Sequence, residues 1–93
     1  MIKSFADKET EKLWKGRSSK AVPEQLRERA EAKLVSIDIA TDEEELKTPP
    51  SNRAHKLVGN RKGQWAISIN KQYRMCFSFE DGDAYDVEIT DYH

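Results

Sequence analysis

The chain has a single cysteine, four glycines, three prolines and two histidines in 93 residues. It also has no long apolar run. Each scarcity excludes something. Cys76 alone cannot close an internal disulfide, which removes the small secreted scaffolds that depend on cross-links. A bilayer span needs about 20 consecutive apolar residues, and no stretch approaches that. The opening "MIKSFADKETEKLWKG" lacks the apolar segment of a secretory leader, so a cytoplasmic protein with no membrane partner is expected. Two histidines and one cysteine without ligand spacing do not make a zinc pattern, and no metal or other cofactor is expected.

What is present suits one small domain spanning 1–93. Such a domain buries roughly 60 to 65% of its unfolded surface. Apolar residues make up 37% and charged residues 35% of the chain, a polar composition, yet three Phe, three Tyr and two Trp supply the bulk for a core. The net charge of −1 hides a segregation. From Leu46 to Phe79 there is no Asp or Glu, while Arg53, Lys56, Arg61, Lys62, Lys71 and Arg74 fall within that window together with His55. Acids gather instead at "DEEE", Asp42 to Glu45, and from Glu80 to Asp91. The cationic strip is either a nucleic-acid-facing surface or a solvated one.

Periodicity gives the elements. Ala6, Thr10, Leu13 and Trp14 recur at helical spacing with Gly16 as a stop, and define a short first helix. Pro23 suits the first turn of a longer helix in which Leu26, Ala30, Leu34 and Ile37 form one stripe, ending near Ala40. "TDEEELKTPPSN" has no period and reads as a connecting loop, stiff at Pro49-Pro50. The period then becomes two. Trp65, Ile67 and Ile69, then Tyr73, Met75, Phe77 and Phe79, then Tyr85, Val87 and Ile89 define three half-buried strands joined by "NKQY" and "EDGD" turns. The expected fold is α+β: two N-terminal helices packed on one face of a small antiparallel sheet, with the other face open.

Strict alternation puts Arg74 on that open face, in need of an anionic partner. Glu88 on the neighbouring strand is one candidate; a ligand is the other. The final "EITDYH" adds a second puzzle. Tyr92 falls on the Arg74 side, while Asp91 and His93 fall with Ile89 on the helix side. A histidine beside the chain's own α-carboxylate has its imidazolium favoured and can serve as a general acid. The alternative is an ordinary polar tail.

The stretch "PPSNRAHKLVGNRKGQWAISINKQYRMCFSFEDGDAYDVEITDYH", with "MIKSF" at the start, resembles the HigB, or plasmid-maintenance killer-protein, group of the RelE/ParE toxin superfamily. The resemblance covers essentially the full length. Its most specific pieces are "GNRKGQWAISIN", "QYRMCF" and "DYH". It implies a RelE-like fold and a toxin that enters the ribosomal A site and cleaves the message there. It also implies neutralisation by an antitoxin partner of helix-turn-helix type that binds operator DNA. The family's functional positions carry over to His55, Arg74, Asp91, Tyr92 and His93. A basic residue that some members have after the His-x-Leu step is Val58 here, with Lys56 the nearest cation.

With the RNA 2′-OH as nucleophile, such an enzyme needs a base, an acid and cations around the phosphate, and no metal. His55 or Asp91 is the expected base and His93 the acid. Tyr92 stacks on a base or bonds a phosphate oxygen, and Arg74 holds the phosphoryl charge. The two imidazoles can exchange roles. Arg53, Lys56, Arg61, Lys62 and Lys71 are the expected RNA or ribosome contacts. Two other classes compete: a non-catalytic inhibitor of the same fold, like the gyrase-binding ParE branch, and a single-strand RNA-binding module, which would need open-face aromatics.

Overall fold

A computed structural model describes residues 1–91; the expectations for Tyr92 and His93 lie outside them. The first helix, α1, runs Lys8–Trp14. The Asp7 side chain caps it by accepting from the Thr10 amide, and Gly16 follows in the left-handed region at φ 75°. A 3₁₀ turn at Glu24–Leu26 leads into α2, Arg27–Ile39. Both helices therefore lie where the apolar spacing put them.

The "TDEEEL" stretch is not a plain loop. It contains a one-turn helix, α3, Glu43–Leu46, capped by Asp42. Four residues show no period, so only burial reveals this helix: Leu46 is fully buried against the core. A 3₁₀ turn at Pro50–Asn52 follows, and Asn52 is buried too. The Asn52 amide donates to the carbonyls of Leu46 (3.0 Å) and Thr48 (3.1 Å), while its Oδ1 accepts from Lys33 Nζ at 2.6 Å. The first two bonds close the segment on itself, and the Lys33 bond fastens it to α2.

The sheet has four antiparallel strands in chain order, one more than the alternation gave. They are β1 His55–Lys56, β2 Gln64–Ser68, β3 Tyr73–Glu80 and β4 Asp83–Asp91. A two-residue strand carries no readable period, which is why β1 was not foreseen. Trp65, Ile67, Met75, Phe77 and Val87 of the sheet pack with Leu13, Ala30, Leu34, Ile37 and Leu46 of the helices. Each large side chain buried in this way stabilises by about 1.5–3 kcal/mol. Residues 2–5 run parallel to β4 through bridges Ile2 to Ala84 and Phe5 to Val87, covering that edge. Among the described residues no helix is long and apolar enough to cross a membrane.

The third expected strand needs a correction. Its alternation breaks at a bulge, where β3 supplies one residue between Cys76 and Ser78 and β4 supplies two between Tyr85 and Glu88. Asp86 takes a positive φ of 55° there. Val87 and Ile89 stay on the core side, but Tyr85 pairs with Ser78 and faces the open side.

Candidate functional site

The register assembles the open face in rows. His55, Ala66, Cys76 and Glu88 are successive partners across β1 to β4; Ser68, Arg74 and Thr90 form the parallel row two residues along. With strands ~4.8 Å apart and two residues spanning ~6.7 Å, the Cα atoms of His55 and Arg74 are roughly 12 Å apart, within reach of one phosphodiester by both side chains. Ala66, Ser68 and Cys76 are small, so the floor between those two groups is shallow.

Arg61 crosses that floor. Its guanidinium donates to Gln64 Oε1 on β2 (3.0 Å) and to Glu88 Oε1 on β4. Glu88 holds the Arg61 charge more firmly than usual, raising its pKa. The acid suggested by alternation as the partner of Arg74 is thus engaged by Arg61. Cys76, beneath, is fully buried and lies 3.7 Å from Thr90 Oγ1.

His55 is exposed, and its Nδ1 lies 2.9 Å from the Arg53 carbonyl oxygen. A carbonyl only accepts, so Nδ1 carries a proton and the neutral ring keeps its lone pair on Nε2. Arg53, at φ 48°, turns the chain so that its carbonyl meets the ring. Asp91 closes β4 opposite Tyr73, on the core side of the ladder, and accepts from Gln72 Nε2 at 2.9 Å.

The expected basic contacts separate. Lys56 alternates away from His55: it is the partner of Trp65, with Nζ 5.8 Å from that ring's centroid and 3.8 Å from Glu43 Oε2. It therefore sits on the opposite side from Arg74. Lys62 is exposed beside the Gly59–Arg61 turn. Arg53 and Lys71 instead border a cleft between α2 and the β2–β3 turn, joined by Arg29 and Lys33. The Asn70 side chain shapes that turn by accepting from the Gln72 (2.9 Å) and Tyr73 (2.7 Å) amides, which puts Lys71 at its tip. Sequence reasoning missed Lys33. Its signal was available: it falls on the buried Ala30, Leu34 and Ile37 stripe, where a lysine needs a reason.

A family model described as a RelE-like toxin of type II toxin-antitoxin system HigB matches residues 3–93. The chain is 38% identical over 93 residues to Endoribonuclease HigB of Proteus vulgaris, covering 100% of both chains. It is 36% identical over 85 residues to Toxin HigB-1 of Vibrio cholerae, covering 90% of each. In fold it resembles a chain of the YoeB-YefM complex from Staphylococcus aureus, with TM-score 0.61 at 17% identity, over 100% of this chain and 98% of that one.

Proposed function

Because the chain belongs to the HigB-like family of RelE-like toxins of type II toxin-antitoxin systems, we propose that it is an endoribonuclease that cuts messenger RNA in the ribosomal A site without a metal. The observation that carries this reading is the placement of His55, whose Nδ1 is held by the Arg53 carbonyl, and Arg74 on the same face of the sheet, the one away from the helices. Support for RNA cleavage also comes from the Proteus vulgaris relative, which is named an endoribonuclease.

The chemistry divides as follows. His55 Nε2 takes the proton of the 2′-OH as that oxygen attacks the adjacent phosphorus. The bond from phosphorus to the 5′-oxygen breaks, leaving a 2′,3′-cyclic phosphate, and His93 supplies a proton to the departing oxygen. Arg74 balances the charge gathering on the phosphoryl oxygens. Tyr92 stacks on the exposed base, and Asp91 orients an imidazole. A helix-turn-helix antitoxin that also binds operator DNA holds the toxin inactive; the family's place in type II toxin-antitoxin systems supports an antitoxin partner.

The test uses ribosomes programmed with a defined A-site codon. A message with a normal 2′-OH at the cleavage position should be cut to products ending in a cyclic or 3′-phosphate. A 2′-deoxy or 2′-O-methyl nucleotide there should abolish cutting. A 3′-hydroxyl product would indicate water attack and sink the mechanism.

A further inference from the structure

We propose that the cleft between α2 and the β2–β3 turn is a binding site for RNA phosphodiester backbone, seating nucleotides that flank the scissile phosphate. This rests on the reading of the protein as one that acts on RNA. The cleft encloses about 650 Å³ and is lined by Arg29, Lys33, Arg53 and Lys71, with no Asp or Glu among its lining residues. The four cations come from three segments: Arg29 and Lys33 from α2, Arg53 from the end of the 3₁₀ turn and Lys71 from the β2–β3 turn. Like charges gathered in one hollow repel when it is empty and favour an occupant whose negative charge repeats along its length. A phosphodiester chain has one charge per nucleotide.

Lys33 gives the site its built character. It is only 9% exposed, and its ammonium donates to neutral oxygens, Asn52 Oδ1 at 2.6 Å and Ser51 Oγ at 3.4 Å. Its charge is therefore oriented but not cancelled there. Burial first, and Arg29 second, lower its pKa, which an incoming phosphate would relieve. Arg29 Nη1 reaches the Ile69 carbonyl at 3.4 Å across the cleft.

Position gives the cleft its role. Ser68 lines it and is the register partner of Arg74, so the cleft lies at the end of the sheet where β2 turns into β3, beside the strand that carries the arginine proposed to hold the reacting phosphate. On its other border, the Arg53 carbonyl holds His55. Arg74 points away from the helices and α2 forms one wall of the cleft, so an RNA strand whose scissile phosphate lies at Arg74 rounds this end of the sheet to seat its neighbouring phosphates.

Binding separates this inference from the cutting reaction. We would measure Kd for programmed ribosomes across a salt series in an Arg74→Ala background, with and without Arg53→Gln plus Lys71→Gln. Both added substitutions are at exposed positions, and melting temperature checks folding. The pair should raise Kd roughly ten-fold at moderate salt and reduce the slope of log K against log salt by about 1.4, at ~0.7 per lost single-strand contact. A photo-crosslinker on Lys71→Cys should capture the message, and capture of ribosomal RNA alone would overturn the seating of nucleotides that flank the cut. Unchanged Kd and slope, or a crosslink to antitoxin with none to RNA, would overturn the proposal. If binding depends on the cleft but wild type fails to cut bound message, the cleft stands and the nuclease reading falls.

Discussion

Arg74 and Arg61 share one face of the sheet but are occupied differently. Glu88 is opposite Cys76 and is claimed by Arg61, which also ties down Gln64. Arg74 lies between Ser68 and Thr90 in the next row. A guanidinium whose role is to balance charge in the transition state should cost rate and little ground-state affinity when removed. Arg74→Ala should lower the single-turnover cleavage rate on ribosomes about 100- to 1,000-fold, about 2.7–4 kcal/mol by analogy with loss of an oxyanion donor. Half-saturating toxin concentration should stay nearly constant. Retained rate with weakened binding would instead make Arg74 an RNA anchor.

At the scale of elements, the short pieces hold the most information. α3 is held by its caps: Asp42 Oδ1 accepts from the Glu45 amide at 2.9 Å, while Glu45 Oε1 accepts from the Thr41 amide (2.6 Å) and hydroxyl (2.7 Å). Those bonds lower the Glu45 pKa below 4.5. A depressed carboxylate stabilises fully above its unfolded value, and that contribution is lost as pH falls through the lower folded value. The protection of the Thr41 amide, the intrinsic exchange rate at each pH relative to the observed one, should therefore fall on acidification below the ordinary carboxylate range. Glu45→Gln should show less protection at that amide at neutral pH, and its protection should respond less to acid. Equal protection in both proteins would show that Leu46 burial alone holds the turn.

The elements also show how far the sequence could be read. α1 and α2 were legible because a stripe repeated over several turns, and β2 and β3 because apolar residues alternated without interruption. The "DG" turn was legible as well: Asp81 and Gly82 take φ of 52° and 82° between β3 and β4. α3 and β1 are too short to carry a period. β4 misleads after Tyr85, since the residue that breaks its alternation, Asp86, is an ordinary polar residue until the ladder forces an extra one into the strand.

For the whole molecule, the sum of charges matters less than where they stand. A net charge of −1 gives little free-standing attraction to RNA, since non-specific affinity scales with phosphates neutralised. The folded chain nonetheless gathers Arg29, Lys33, Arg53 and Lys71 in one cleft, while Lys56 is drawn off toward Glu43 and Trp65. Free message should be a poor substrate, and ribosome-bound message a good one, because the ribosome supplies the alignment that bulk charge cannot. Equal cleavage rates on the two would refute dependence on the A site.

Composition and periodicity determined the class of this protein: helices first, then an antiparallel sheet, with Arg74 pointing away from the helices. Those features follow from local rules, since a 3.6-residue or two-residue repeat fixes which side chains share a face. Which groups meet across the sheet was decided by the tertiary structure. Pairing register set Glu88 opposite Cys76 and within reach of Arg61, added His55 to the open face through β1, and turned Tyr85 outward at the bulge. Lys33 and Arg53 are 20 positions apart in the chain, and only the packing of the Pro50–Asn52 turn on α2 through Asn52 brings them to the same cleft. Such contacts depend on the free energy of the whole packed core, to which no single short segment's pattern has access.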